Sequence, residues 1–209
     1  MKFKEEVILR HDSYIKESKL NLMTFSELVG ERKVSIYSAN LEGIGLAKRL
    51  KILGFKIRGF IDSRTYKNNN KKNIPVLHPD FFWKNSSPEQ DVLIIATKHR
   101  NYKKIVSYEA KMLGFKKGKD IIYPLELCNF FPTIEVAGKC NLFCRTCDMG
   151  LPNANKGKGH MSISLFKLII DKLSREIPFI NSVALYIWGE PLLNKNLSEI
   201  IRICKSYGI

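Results

Sequence analysis

No uninterrupted apolar run in the chain approaches the length of a bilayer span, which takes about 20 residues. The N-terminus, MKFKEEVILRHDSYIKES, mixes charges from its first residues and has no apolar core of the kind a secretory signal carries. These absences lead us to expect a soluble, cytoplasmic protein with no membrane partner. Cysteine is scarce and odd in number, five in 209 residues, and its closest spacings leave two or three residues between neighbours. That pattern excludes the small secreted disulfide framework and points to reduced thiols. Acidic residues are also in short supply, 20 against 35 Lys and Arg, for a net charge of +15. The lysines are scattered, and their densest run, YKNNNKKN at Tyr66–Asn73, reads as a polar loop. The excess is assigned to solvated surface. No recognition motif accompanies it, so nucleic acid is not an expected partner. No internal repeat is present. Apolar residues are in ordinary supply at 44%, enough for the cores of one or two domains.

Residues 1–30 read as a helical extension. From Arg32 the pattern becomes regular. KVSIY is a short β-rich run and SANLEGIG a turn. LAKRLKILG follows with Leu46, Leu50 and Leu53 at helical spacing and Gly54 as a stop. KIRGFIDS is a second strand ending at Asp62. IPVL is a third, with a short helical stretch from Pro79 to Phe82, and DVLIIAT suits a strand buried on both faces. A helix over Tyr102–Leu113, stopped by Gly114, and the segment DIIYPLEL close the unit. Strands alternating with helices predict an α/β domain with a doubly wound parallel sheet over about 31–125.

A dinucleotide fingerprint needs G-x-G-x-x-G after the first strand, so that backbone N–H groups can approach a pyrophosphate. Aligned on the strand end, this chain has Ser38-x-Asn40-x-x-Gly43. Asn tolerates a left-handed backbone, so the turn can survive, and Asp62 stands near the usual place of a ribose-binding acid. Asn40, Gly43 and Asp62 are therefore candidate nucleotide-binding residues, beside the reading of a structural or partner-docking domain. His99, just after the apolar strand, is either a ligand-facing residue or a surface histidine. ANLEGIGLAKRL and GFIDS…IPVLHPDFF…DVLIIAT resemble small Rossmann-like domains that precede sugar-modifying or transferase modules. The resemblance implies a nucleotide-sugar-binding or docking module as an alternative function.

A second domain is expected over 126–209. TIEVAG reads as a strand leading into KCNLFCRTCDMG, where Cys140, Cys144 and Cys147 form C-x3-C-x2-C. Soft thiolates at this spacing select zinc, copper(I) or an iron–sulfur cluster. Zinc wants four ligands, and His160 or Asp148 could complete such a set in a small zinc protein. Cys128 lies apart, and Cys204 falls on an apolar helical stripe. A [4Fe–4S] cluster on three cysteines keeps one iron with an exchangeable position. After a Gly-, Asn- and Lys-rich connection, Ser162 can cap a helix whose apolar face is Leu165, Phe166, Ile169, Ile170 and Leu173. SVALYIWGEP is a further strand ending in a Gly-Glu-Pro turn. Asn194 or Asn196 can cap a last helix.

CNLFCRTC after TIEVAG resembles the signature loop of radical S-adenosylmethionine (SAM) enzymes, and YIWGEPLLN resembles their Gly-Gly-Glu-Pro motif, with Trp188 in place of the first glycine. The resemblance implies the first two βα units of a partial (βα) barrel, with Cys140, Cys144 and Cys147 holding a [4Fe–4S] cluster whose fourth iron chelates SAM. It implies reductive cleavage to a 5′-deoxyadenosyl radical that attacks a small-molecule or peptide substrate, and an external electron donor. It places Gly189, Glu190 and Pro191 at the SAM ammonium and Thr146 near adenine. GHMSISLFKLIIDKL and GEPLLNKNLSEIIRICKSYGI are most like the SPASM-associated branch. Two βα units are expected here, against about six in the family, so the chain reads as an N-terminal portion whose catalysis alone is not expected.

Overall fold

The computed structural model describes residues 21–64, 70–71, 73–147 and 159–209. The chain divides into two compact units, Met1–Asn129 with Glu176–Asn181, and Phe130–Arg175 with Ser182–Ile209.

In the first unit, residues 21–29 are helical (α1). Then come β1 (Lys33–Tyr37), α2 (Leu41–Ile52), β2 (Ile57–Ile61), β3 (Asn70–Lys71), β4 (Ile74–Leu77), α3 (Pro79–Lys84), β5 (Asp91–Ile95), α4 (Arg100–Met112), β6 (Ile121–Ile122) and α5 (Pro124–Leu127). The strands lie in the order β3-β4-β2-β1-β5-β6. Five of them are parallel, and only the two-residue β3 runs antiparallel, against β4. The polar run Tyr66–Asn73 thus contributes an edge strand where a loop is expected; its residues 66–69 and 72 lie outside the described residues.

Side-chain alternation explains why helices flank both faces. Val34 and Ile36 of β1, Phe60 of β2, and Val92 and Ile94 of β5 pack with Leu46 and Leu50 of α2. Ile61, Leu93 and Ile95 point the other way, onto Phe82 of α3 and Val106 and Ala110 of α4. All five residues of β5 are buried, as its uninterrupted apolar run requires. The doubly wound, Rossmann-like α/β fold follows from this pattern. Gly54 and Gly114 end α2 and α4 with φ of 90° and 88°. Glu176–Asn181 belongs to this unit for reasons the sequence pattern does not display. Buried Arg49 donates from Nε to the Pro178 carbonyl at 2.5 Å, and Phe179 packs edge-on against Phe25.

The second unit contains α6 (Ile163–Glu176, its last residue assigned to the first unit), a 3-10 turn at Pro191–Leu193 and α7 (Leu197–Ser206). Phe166 and Ile170 of α6 and Ile200, Ile203 and Cys204 of α7 enclose Ile134 and Val136. Leu165 N–H donates to Ser162 Oγ at 3.2 Å, the expected cap. The two expected strands are present only as a single parallel bridge, Thr133↔Ala184, with Ile134 N donating to the Ala184 carbonyl at 2.8 Å. Beyond it the ladder gives way to side-chain bonds from Glu135, described below.

Candidate functional site

The second unit joins the cysteine loop to the Gly-Glu-Pro turn. Glu190 N donates to the carbonyl of Lys139, the residue before Cys140, at 2.8 Å. Gly189 lies against the preceding strand so closely that a Cβ there would sit 1.5 Å from the Ala137 carbonyl oxygen. Only glycine permits this approach. Glu135 completes the join. Its Oε2 accepts from Trp188 N at 2.6 Å and Gly189 N at 3.1 Å, replacing the carbonyls that a continued ladder would have offered. Its Oε1 is buried with no hydrogen-bond partner among the described residues, so a carboxyl oxygen stands beside the turn with acceptor capacity to spare. Sequence reasoning missed Glu135. The signal available was an acid between Ile134 and Val136 of an extended apolar segment, on the face opposite to the core those two residues join.

Glu190 caps its own turn, Oε1 accepting from Leu192 N at 3.0 Å, and Pro191 opens the 3-10 turn. Asn194 does not cap α7, and Asn196, at the N-cap, makes no side-chain cap bond. Instead buried Asn194 donates from Nδ2 to the carbonyls of Val136 at 2.8 Å and Met161 at 3.3 Å. Its Oδ1 accepts from Asn196 N at 2.9 Å.

Among the described residues the cysteines form no disulfide; Cys144 is exposed, Cys140 and Cys147 are partly so, and Cys204 is buried. Leu142 N donates to Cys140 Sγ at 3.4 Å. Cys147 N donates to the Cys144 carbonyl at 3.2 Å, folding Arg145 and exposed Thr146 into a turn. Three unpaired thiols on one accessible loop are a donor set that fits an iron–sulfur cluster. Among the described residues no three Cys, His, Asp or Glu side chains are gathered at metal-binding distance. The loop therefore presents the donors without closing them into a ligand set. His160 pairs with Ala137 in an antiparallel bridge, and Asp148 lies outside the described residues.

In the first unit the turn after β1 keeps a left-handed residue, but it is Ser38, φ 88°. Asn40 is extended at the N-cap of α2, where its Oδ1 accepts from Gly43 N at 2.8 Å, and its Nδ2 donates to the Ala96 carbonyl. Gly43 is tight against the turn, since a Cβ would meet the Ser38 carbonyl oxygen at 2.3 Å. Asp62, at the end of β2, is 7% exposed and accepts from Ala39 N at 3.2 Å. Bonds from Arg64 and Ala39 hold its carboxyl below the usual range, although burial opposes them. His99 is exposed at the N-cap of α4.

Among the described residues no helix is long and apolar enough to cross a membrane. No family model matches the chain, and no solved structure matches it. A curated relative, the S-adenosyl-L-methionine-dependent 2-deoxy-scyllo-inosamine dehydrogenase of Niallia circulans, is 31% identical over 74 residues. That match covers 35% of this chain and 29% of the relative, so the chain spans less than a third of that relative's length.

Proposed function

We propose that the second unit is the cluster- and SAM-binding portion of a radical SAM enzyme, formed from the first two βα units of its partial barrel. The observation that carries this reading is the bond from Glu190 N to the Lys139 carbonyl. It sets the Gly-Glu-Pro turn directly against the start of the three-cysteine loop. Similarity to a SAM-dependent dehydrogenase supports it.

Cys140, Cys144 and Cys147 would hold a [4Fe–4S] cluster, which when bound supplies the electron for reductive cleavage of SAM. The chain's own residues do the positioning. Glu135 and Ala137 fix the turn at Trp188–Gly189, and the strand-end carbonyls and the Glu135 and Glu190 carboxylates create a site suited to an ammonium group. Thr146, in the exposed turn between the last two cysteines, is where an adenine edge would be met. The loop's accessibility suits an external electron donor. The relative's name brings dehydrogenation of a hydroxylated ring as the reaction class proposed for the full enzyme.

Anaerobic reconstitution with iron and sulfide tests this. About four irons per chain are expected, with a reduced-cluster resonance that shifts on adding SAM, and loss of the cluster in Cys144→Ala. A chain that takes up no iron, or a cluster whose resonance ignores SAM, overturns the proposal.

A further inference from the structure

The first unit carries a crevice of about 270 Å3 at the carboxyl ends of β1, β2 and β5, lined among others by Tyr37, Ser38, Asp62, Arg64, His99 and Tyr102. It lies between β1 and β5, whose crossovers lead to β2 on one side and β6 on the other, the point at which open parallel sheets gather ligands. That position suits many small molecules; the walls are more selective.

Three features oppose a phosphate-bearing nucleotide. Ala39 N, in the turn after β1, donates to Asp62 Oδ2, so a carboxylate already occupies a donor that a pyrophosphate would use. Gly43 N is likewise taken by Asn40 Oδ1. Glu42 stands in the first turn of α2, paired with Lys98 at 3.8 Å, where its carboxylate takes up the positive end of the helix dipole that an anion would use.

The same walls fit an uncharged ring bearing hydroxyls. Asp62 accepts from Arg64 N at 3.0 Å, Nε at 3.3 Å and Nη2 at 3.5 Å. The pair cancels in charge and leaves a planar fork, 80% exposed, at the rim. Tyr102 and His99 meet edge to face with centroids 5.3 Å apart, and Tyr102 is 52% exposed, giving an aromatic surface for the C–H face of a ring. Four hydroxyl-bearing residues, Tyr37, Ser38, Ser63 and Thr97, line the remainder with Ile61. Burial pushes the Tyr37 phenol up to about 12, so it stays a neutral donor. Ser38 holds its left-handed backbone at this wall, a conformation unfavourable for a non-glycine residue, and such strain concentrates at functional sites.

We propose that this crevice binds a neutral, polyhydroxylated six-membered ring, a sugar or cyclitol, and not the phosphates of a nucleotide. The site stands independently of the cluster, which the other unit would hold.

The test is a titration of the 15N-labelled full chain with methyl β-D-glucopyranoside, myo-inositol, NAD+ and uridine monophosphate, followed by amide shifts. One or both polyols are expected to give saturable shifts at Ser38, Ser63 and Tyr102, and which one responds separates sugar from cyclitol. Arg64→Ala and Tyr102→Ala, both at exposed side chains, are each expected to weaken that binding at least tenfold. Lys119→Ala, at the opposite end of the sheet, is expected to leave it unchanged. Silence from both polyols, tighter binding of NAD+ or uridine monophosphate at these amides, or indifference to both substitutions overturns the proposal.

Discussion

Gly189 shows how one atom decides a site. Its missing Cβ lets the turn rest on the Ala137 carbonyl, which brings Glu190 N to the Lys139 carbonyl and both Trp188 N and Gly189 N to Glu135. Gly189→Ala is expected to destabilise the second unit by about 3 kcal/mol, the upper end of overpacking penalties. It should also strip exchange protection from the Glu190 amide. Urea unfolding with hydrogen exchange reads both, and an unchanged midpoint with a protected Glu190 amide would show that the turn does not pack as described. The same dependence on close approach recurs at Gly43 under the Ser38 carbonyl. There a serine has taken the left-handed position that a dinucleotide fold gives to glycine.

At the level of elements, the first unit rests on apolar alternation and the second on polar stitching. The strands of the first sheet bury their side chains on both faces against α2, α3 and α4. The second unit has only one bridge between its two extended segments, and Asn194 supplies what a longer ladder would have supplied by tying Val136 and Met161 to the start of α7. Asn194→Asp keeps the shape but replaces a donor with a charge facing two carbonyls. It is expected to cost about 3 kcal/mol near neutral pH, as buried groups left unpaired beside a charge do. The loss should shrink in acid, where the carboxyl regains one donor. Equal destabilisation in acid and at neutrality would argue that shape, not donation, is what Asn194 supplies.

At the scale of the whole molecule, Tyr37 in the first unit and Cys204 in the second are acids whose protons the fold retains. Burial raises Tyr37 from its ordinary 10.0 to about 12, and Cys204 from 9.0 to about 11. Both groups are neutral when protonated, so the unfolded chain loses these protons first as pH rises. The stability they contribute is complete below the unfolded values and is lost through pH 9 to 11 for Cys204 and 10 to 12 for Tyr37. Each group can contribute a slope of up to about 1.4 kcal/mol per pH unit within its window. Urea midpoints should therefore hold level to about pH 9 and then fall, with the earlier part of the fall abolished by Cys204→Val. A flat profile to about pH 11 would mean that neither proton is retained by folding.

The sheet was legible in the sequence because a strand buried on both faces must be apolar throughout, as DVLII is. Helices on the two faces then follow from alternation in Val34–Tyr37 and from glycines after α2 and α4. The three thiols and the Gly-Glu-Pro turn were likewise visible as residue types at close spacing. Their join was not, because it depends on Glu135, fifty-four residues from Gly189, accepting two amides where a ladder was expected. Asn194 looked like a helix cap because capping is a local habit of Asn; its bonds to Val136 and Met161 are long-range. Composition and spacing determined which chemistry this chain can offer. Tertiary structure alone decided which amides remain free, since Asp62 and Asn40 consume donors in the first unit. A backbone donor's availability depends on what folds against it, and no local pattern records that.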